Sequence, residues 1–271
     1  MKKKLLLGLV TLTLGAMSLT GCGSTGEKVS VAGSTTVAEP MEKLAGAYKT
    51  VNPEVEVEVQ GNGSSAGIKS VSDGIADIGM SSRELSESEK QLGLTETVIA
   101  HDGIAVVVNP ANGVQDLTLE QLRGIYEGTI TNWSELGGID QDIIVVTREA
   151  GSGTRSAFEE IVGLLNEDKA STITDTALVS EGTGSIMATV ASKEAAIGYI
   201  SLGYMDDTVK GVAIDGVVPS AETIKDGTYK VSRPLIVLTK DANENTQDFV
   251  DYIVSEEGQE LMSEKYISVL E

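Results

Sequence analysis

Thr147 to Ala157 reads TREAGSGTRSA and joins an apolar, β-rich run, Ile143 to Val146, to a run with helical spacing. Gly151 and Gly153 let backbone amides come close to a ligand, Ser152 and Thr154 can cap a helix start, and Arg148 and Arg155 place positive charge on either side. Together these residue types make a seat for an oxyanion. The stretch lacks the lysine and the spacing of a nucleotide-binding P-loop, so a small free anion suits it better than ATP. A capped loop accounts for one such stretch alone, but the device recurs. Gly33-Ser34-Thr35-Thr36 and Gly61 to Gly67, which contains Ser64 and Ser65, each follow a predicted strand and precede a predicted helix, and a third short strand ends at Ser81-Ser82-Arg83. In an open α/β sheet, ligands bind at the carboxyl ends of strands, where helix amino termini converge. Four such ends in one chain point to one shared site.

The elements that must position these residues follow from periodicity. Val29 to Ala32 predicts a strand, followed by a helix over about Val37 to Tyr48 with Pro40 in its first turn. Val55, Val57 and Val59 alternate with glutamates as a strand with one wet side, a helix then runs to about Asp73, and Ile75 to Met80 forms the third strand. Glu84 to Glu89 reads as the start of a surface helix. Val98-Ile99-Ala100 leads through His101-Asp102-Gly103 into a buried strand, Ile104 to Val108, that Asn109-Pro110 ends. Thr118 and Gln121 have the spacing of a capping box, and Trp133 reads as packing. Phe158, Ile161, Val162 and Leu165 form the stripe of the helix after the central seat. Thr183-Gly184-Ser185 opens another helix, with hydroxyls that can line the cleft, and Ala196 to Leu202 is the next strand. Leu235 to Thr239 is a second long strand, and Thr246 to Met262 carries a pair of helices. Two long crossings fit two lobes joined by two connectors, lobe one comprising residues 29–109 plus 232–271 and lobe two residues 110–231.

Composition narrows the function. The 271 residues include 41 Asp and Glu against 20 Lys and Arg, a formal net charge of -21, and nothing resembles a basic groove, which argues against nucleic acid as a partner. An acidic chain that takes up an anion must do so with local amides and a few arginines. The single histidine, His101, has no nucleophile or metal cluster to work with, so a metal-dependent or histidine-based phosphatase is disfavoured and no catalytic residue or metal site is assigned. Lys2 to Lys4 followed by the apolar run Leu5 to Leu19 form a leader too short for a stable membrane span. Leu19-Thr20-Gly21-Cys22 reads as a lipobox. This makes residues 1–21 a signal peptide, Cys22 the lipid-bearing first mature residue and residues 22–28 a flexible tether.

The chain resembles the phosphate-binding lipoproteins of bacterial high-affinity phosphate ABC transporters, which have the type II periplasmic binding protein fold. The resemblance spans nearly everything after the leader. It rests on Gly33-Ser34-Thr35-Thr36, Gly63-Ser64-Ser65-Ala66-Gly67, Asp77-Ile78-Gly79-Met80-Ser81, Ile130-Thr131-Asn132-Trp133, Gly151-Ser152-Gly153-Thr154 and Ala196-Ile197-Gly198-Tyr199. It implies an α/β fold of two lobes with the ligand cleft between them, in a monomer without cofactor that is anchored outside the cytoplasm to the cell membrane. It further implies capture of inorganic phosphate for the permease subunits by Thr35, Thr36, Ser64, Ser82, Arg148, Ser152, Gly153 and Thr154. Ser34, Ser65, Arg83 and Arg155 are additional candidates, the two arginines either contacting the anion or forming surface ion pairs. The family's third strand commonly ends in an aspartate that accepts the proton of bound phosphate, and the matching residue here is Ser82. The acidic partner of the family arginine also has no direct counterpart, because Ala150 stands in its place beside Glu149. Another tetrahedral oxyanion (sulfate, molybdate or tungstate) and an adhesin or signalling role for the same fold are the alternatives.

Overall fold

The computed structural model describes residues 27–270; the leader and Cys22 lie outside the described residues. The first strand, β1 (Glu27–Gly33), starts two residues before the expected Val29. Glu27 and Lys28 pair in register with Val55 and Glu56 of β2 (Val55–Gly61), and the Lys28 ammonium reaches Glu58 at 2.6 Å. The expected tether thus loses its last two residues to the sheet. Gly33 ends β1 at a φ of 141°, and a Cβ there would stand 2.2 Å from the Met80 carbonyl oxygen, so only glycine lets the chain turn this close to the neighbouring strand.

Helix α1 (Thr35–Val51) follows at once, because the Ser34 side chain accepts the Thr36 N–H and caps it two residues earlier than expected. The earlier start moves Pro40 out of the first turn, to a place where its missing N–H leaves the Thr36 carbonyl without a helical donor. After β2 come α2 (Ser64–Ser72) and β3 (Ile78–Ser81). β3 is shorter than expected because Ile75 and Ala76 fold back onto the Ser70 carbonyl at the end of α2. Glu84 to Glu89 is a loop and not a helix start. Ser86 and Arg83 hold the Glu89 carboxylate, and only a short 3-10 turn, Glu89–Leu92, follows.

β4 (Thr95–Val108) is one continuous 14-residue strand. Beyond it the chain builds β5 (Asp116–Leu117), α3 (Leu119–Glu127), β6 (Ile144–Arg148), α4 (Gly153–Val162), β7 (Leu178–Ser180), α5 (Gly182–Ser192) and β8 (Ala196–Ser201). Then β9 (Lys210–Gly211), β10 (Ala213–Ile214) and α6 (Ala221–Lys225) lead to β11 (Ser232–Thr239), and α7 (Glu244–Val254) and α8 (Glu256–Met262) close the chain. The capping box of Thr118 and Gln121 is present at α3. Gly163 ends α4 with φ 78°, which turns Leu164 and not Leu165 into the core.

Eight strands form one path, β2-β1-β3-β11-β4-β8-β6-β7, parallel within each flank and antiparallel where β11 and β4 cross; β9 pairs with β4 beside this path, and β5 and β10 make a separate small sheet. β4 pairs with β11 from Thr95 to Gly103 and with β8 from Ile104 to Val108. Two cores result. Val29, Leu44, Ile78, Ala100, Leu235 and Phe249 belong to the first, and Ile104, Val106, Trp133, Phe158, Ile197 and Tyr199 to the second. Along β4 both the pairing partner and the apolar cluster change over at His101–Gly103, because an unbroken strand can serve both without a turn. α7 and α8 pack on the first lobe, as expected.

Candidate functional site

The carboxyl ends of β1, β2 and β3 in one lobe face the carboxyl end of β6 in the other. The Thr36 Oγ1 lies 3.1 Å from the Thr154 Oγ1, Arg148 Nη2 donates to Thr35 Oγ1 at 3.0 Å, and the Ser65 N–H donates to the Gly151 carbonyl at 3.1 Å. Gly153 approaches the opposite lobe so closely that a Cβ on it would stand 2.2 Å from Ser64 Oγ and 2.7 Å from Ser82 Oγ. All eight residues expected to line the seat thus meet in one cleft, and Ser34 and Ser65 adjoin them. Thr36, Ser64, Ser82, Arg148, Ser152 and Thr154 are buried, so any anion held there is cut off from bulk water.

The hydroxyls arrive already polarised. Ser34 Oγ accepts the Thr36 N–H, Ser64 Oγ accepts the Ser82 N–H at 3.1 Å, Ser152 Oγ accepts the Arg155 N–H, and Thr35 Oγ1 accepts from Arg148. A hydroxyl with one lone pair engaged in this way keeps its O–H free to donate. The seat is therefore rich in directed donors, which is the chemistry that recognises a tetrahedral oxyanion.

Arg148 comes from the end of β6, where its N–H donates to the Tyr199 hydroxyl and the Thr147 hydroxyl lies 2.8 Å from that same oxygen. Tyr199 is held by stacking on Phe158, with ring centroids 3.9 Å apart, and burial pushes its hydroxyl up to about 12, so it stays neutral. One edge of the Arg148 guanidinium grips Glu149 through two bonds, Nε at 2.8 Å and Nη2 at 2.7 Å. Glu149 also takes the Gly182 N–H at the start of α5. Burial raises the Glu149 carboxyl, but the hydrogen bonds and charge of Arg148 outweigh it and leave it below the ordinary carboxylate value. Glu149 thus fills the role for which Ala150 offers no side chain. The other guanidinium edge faces Thr35 and, at 3.5 Å, Thr183, which joins the cleft as its sequence position suggested.

The two additional arginines are engaged in ion pairs. Arg155 donates to Glu159 at 2.7 Å and to the Arg148 carbonyl at 3.0 Å, bracing the turn from outside. Arg83 forms a two-pronged pair with Glu89 and donates to Ser65 Oγ at 3.2 Å.

Two features escaped the sequence. Tyr204, which follows β8, and Tyr266, which follows α8, both donate their hydroxyls to the Thr36 carbonyl, at 3.1 and 2.7 Å. That is the carbonyl Pro40 leaves unpaired, and Tyr204 reaches it from the second lobe. The other is a buried ion pair between Asp102 on β4 and Arg233 on β11, at 2.9 Å. A charged residue next to the apolar run of each crossing strand, Ile104 to Val108 and Leu235 to Leu238, was the available signal, but the register that pairs them was not.

Residues 20–257 match the PBP superfamily domain, the class of binding proteins that this two-lobed fold and its cleft define. The chain is 31% identical over 280 residues to the phosphate-binding protein PstS of Bacillus subtilis (strain 168), covering 96% of this chain and 91% of that protein. It is 30% identical over 247 residues to the PstS of Borreliella burgdorferi, covering 88% of each. Among solved structures, a substrate-binding protein from Clostridium perfringens, assigned to phosphate ABC transport and determined with bound phosphate, is 48% identical with a TM-score of 0.86, over 90% of this chain and 100% of that one. An ABC-type phosphate transport receptor from Vibrio cholerae is 44% identical with a TM-score of 0.78, over 89% and 100%. The chain belongs to the PstS family of phosphate-binding proteins.

Proposed function

We propose that this protein captures inorganic phosphate in the cleft between its lobes and delivers it to the permease of an ABC transporter. The observation that carries the reading is the convergence of hydroxyls from both lobes beside the Arg148 guanidinium, with Thr36, Ser64, Ser82, Arg148, Ser152 and Thr154 all buried. Thr35, Thr36, Ser64 and Ser82 contribute from the lobe comprising residues 27–100 and 235–270, and Arg148, Ser152, Gly153 and Thr154 from the other lobe, with residues 101–103 and 232–234 as the connectors. The bonds form and break without any covalent step. Lobe closure offers the permease a surface that exists only in the loaded state.

Ser82 in place of a carboxylate favours one second reading, a site that also accepts sulfate or another tetrahedral oxyanion. Calorimetric titration of ligand-stripped protein separates the two: submicromolar phosphate binding with sulfate at least ~100-fold weaker, about 2.7 kcal/mol, is expected, and equal or tighter sulfate binding overturns the phosphate assignment. Anchorage outside the cytoplasm through lipid on Cys22 is part of the proposal. It is supported by the lipobox, and a Cys22→Ser protein that stays as firmly membrane-associated as the parent would refute it.

A further inference from the structure

Asp102 and Arg233 face each other across the two crossing strands and are almost completely buried. Arg233 Nη2 lies 2.9 Å from Asp102 Oδ2, with Nε at 3.3 Å from the same oxygen, and the Ser201 hydroxyl at the end of β8 donates to Asp102 Oδ1 at 2.9 Å. The remaining Arg233 nitrogen, Nη1, donates to the Ser82 carbonyl at 2.9 Å. The Ser82 N–H in turn orients the Ser64 hydroxyl. One buried unit therefore ties both connectors, the end of β8 in the second lobe and the end of β3 in the first to the cleft.

Burying such a pair is no bargain for stability, since well-packed apolar side chains of similar volume often do as well or better. Burial presses both groups toward neutrality, raising Asp102 and lowering Arg233, while their mutual attraction opposes it; the Arg148 charge adds slightly to the lowering of Arg233. The bond from Nη1 to the Ser82 carbonyl gives Arg233 a hold on the seat that its pairing with Asp102 does not require.

We propose that Arg233, clamped by Asp102, is a positioning residue of the oxyanion seat: it fixes the Ser82 main chain and neutralises the buried Asp102 carboxylate beside it. The inference rests on reading the cleft as a phosphate site. It assigns opposite signs to the two partners. Without Arg233, Ser82 loses its anchor and a carboxylate stands near the anion; without the Asp102 charge, the anion gains an uncompensated cation.

The test is calorimetric titration of the ligand-stripped full chain with inorganic phosphate and with sulfate, in the parent, Arg233→Gln, Asp102→Asn and the doubly substituted, uncharged protein, with a melting temperature for each. Both single variants are expected to melt below the parent, because each strands a buried group. Arg233→Gln should bind phosphate at least ~10-fold more weakly, while Asp102→Asn binds it as tightly as the parent or more tightly. Where Arg233→Gln does not fold, Arg233→Lys keeps the charge and loses the separate donor that holds Ser82 while the rest of the group pairs with Asp102; it should alter the phosphate-to-sulfate ratio, and an unaltered ratio would overturn the positioning role. Equal losses of affinity in Arg233→Gln and Asp102→Asn, following their melting temperatures, overturn the inference. A parent that binds phosphate no better than Arg233→Gln does so as well, with the functional reading intact. A parent that binds neither anion refutes the functional reading and this inference with it.

Discussion

Gly153→Ala separates closure of the cleft from folding of the lobes. Gly153 is the first residue of α4 and its backbone is in a conformation open to any residue, so alanine at this place is compatible with the helix and slightly favourable to it. The obstacle lies in the other lobe. The new Cβ would stand 2.2 Å from Ser64 Oγ, 2.7 Å from Ser82 Oγ and 2.8 Å from Ser64 Cβ. Turning the Ser64 hydroxyl away does not relieve the overlap with its Cβ, and it breaks the bond from the Ser82 N–H. The lobes must stay apart by about 1 Å, the gap between this overlap and an ordinary carbon contact. Forcing them together costs about 1–3 kcal/mol in overpacking. Holding them apart instead forfeits the Thr36–Thr154 contact, worth about 1 kcal/mol, and the charged Arg148–Thr35 bond, worth about 1.5–3 kcal/mol. The protein takes the cheaper course, so phosphate affinity should fall by about 1–3 kcal/mol, roughly 5- to 150-fold. The assay is calorimetry on ligand-stripped parent and variant, with the melting temperature of each ligand-free protein as control. Parental affinity in the alanine protein refutes the closed-cleft reasoning.

Arg148→Ala should weaken phosphate binding by about 2–5 kcal/mol, and Arg148→Lys should recover only part of it, since charge survives while the planar fork does not; near-parental affinity in the alanine protein would move the seat elsewhere. Ser82→Asp should widen the preference for phosphate over sulfate, because a carboxylate accepts the phosphate proton and repels a fully ionised anion; competitive titration at matched ionic strength checks this, and an unchanged ratio removes Ser82 from discrimination. Tyr204→Phe deletes the hydroxyl that reaches the Thr36 carbonyl from the second lobe and should weaken phosphate binding about fivefold, roughly 1 kcal/mol; calorimetry showing no loss would mean that the bond does not favour closure. Hydrogen bonds from Arg83 hold the Glu89 carboxyl at about 2, below its ordinary 4.5. Its stabilising effect is complete above the ordinary value and disappears as pH falls through the depressed one. The gap in melting temperature between parent and Glu89→Gln should therefore close between about pH 5 and about pH 2, and a constant gap would contradict the pairing.

The seat was legible in the sequence because its parts are local. A strand ending in Gly33-Ser34-Thr35-Thr36 or Thr147-Arg148 carries its glycine, hydroxyls and charge within a few residues, and each hydroxyl does what a helix mouth lets it do. The elements that failed are those decided by distant partners. Glu84 to Glu89 has the acidic start of a helix, yet Arg83 draws Glu89 back and leaves a loop. Pro40 read as a first-turn residue because Ser34 was not recognised as the cap, and the consequence, a carbonyl held by Tyr204 and Tyr266, depends on segments 168 and 230 residues away. Asp102 and Arg233 are 131 residues apart, and nothing short of strand register brings them together.

The acidity of the whole chain and the anion it takes are reconciled by how charge is arranged around the cleft. Both buried guanidiniums near the seat have a carboxylate of their own, Arg148 with Glu149 and Arg233 with Asp102. The ion-paired groups contribute little net charge, so in the proposed site the anion would be met chiefly by fixed dipoles: hydroxyls whose lone pairs are already engaged, beside the Arg148 edge that faces Thr35 and Thr183. Such dipoles are worth most where water is excluded and need no reorganisation when the ligand arrives. Because they act over short distances, the repulsive field of the surface carboxylates slows the anion's approach more than it weakens the bound state. A site of this kind reads an anion by how many donors it can satisfy at once and by where its proton lies, so in the proposed phosphate site Ser82, a hydroxyl able to accept or to donate, is where discrimination among tetrahedral oxyanions is to be tested.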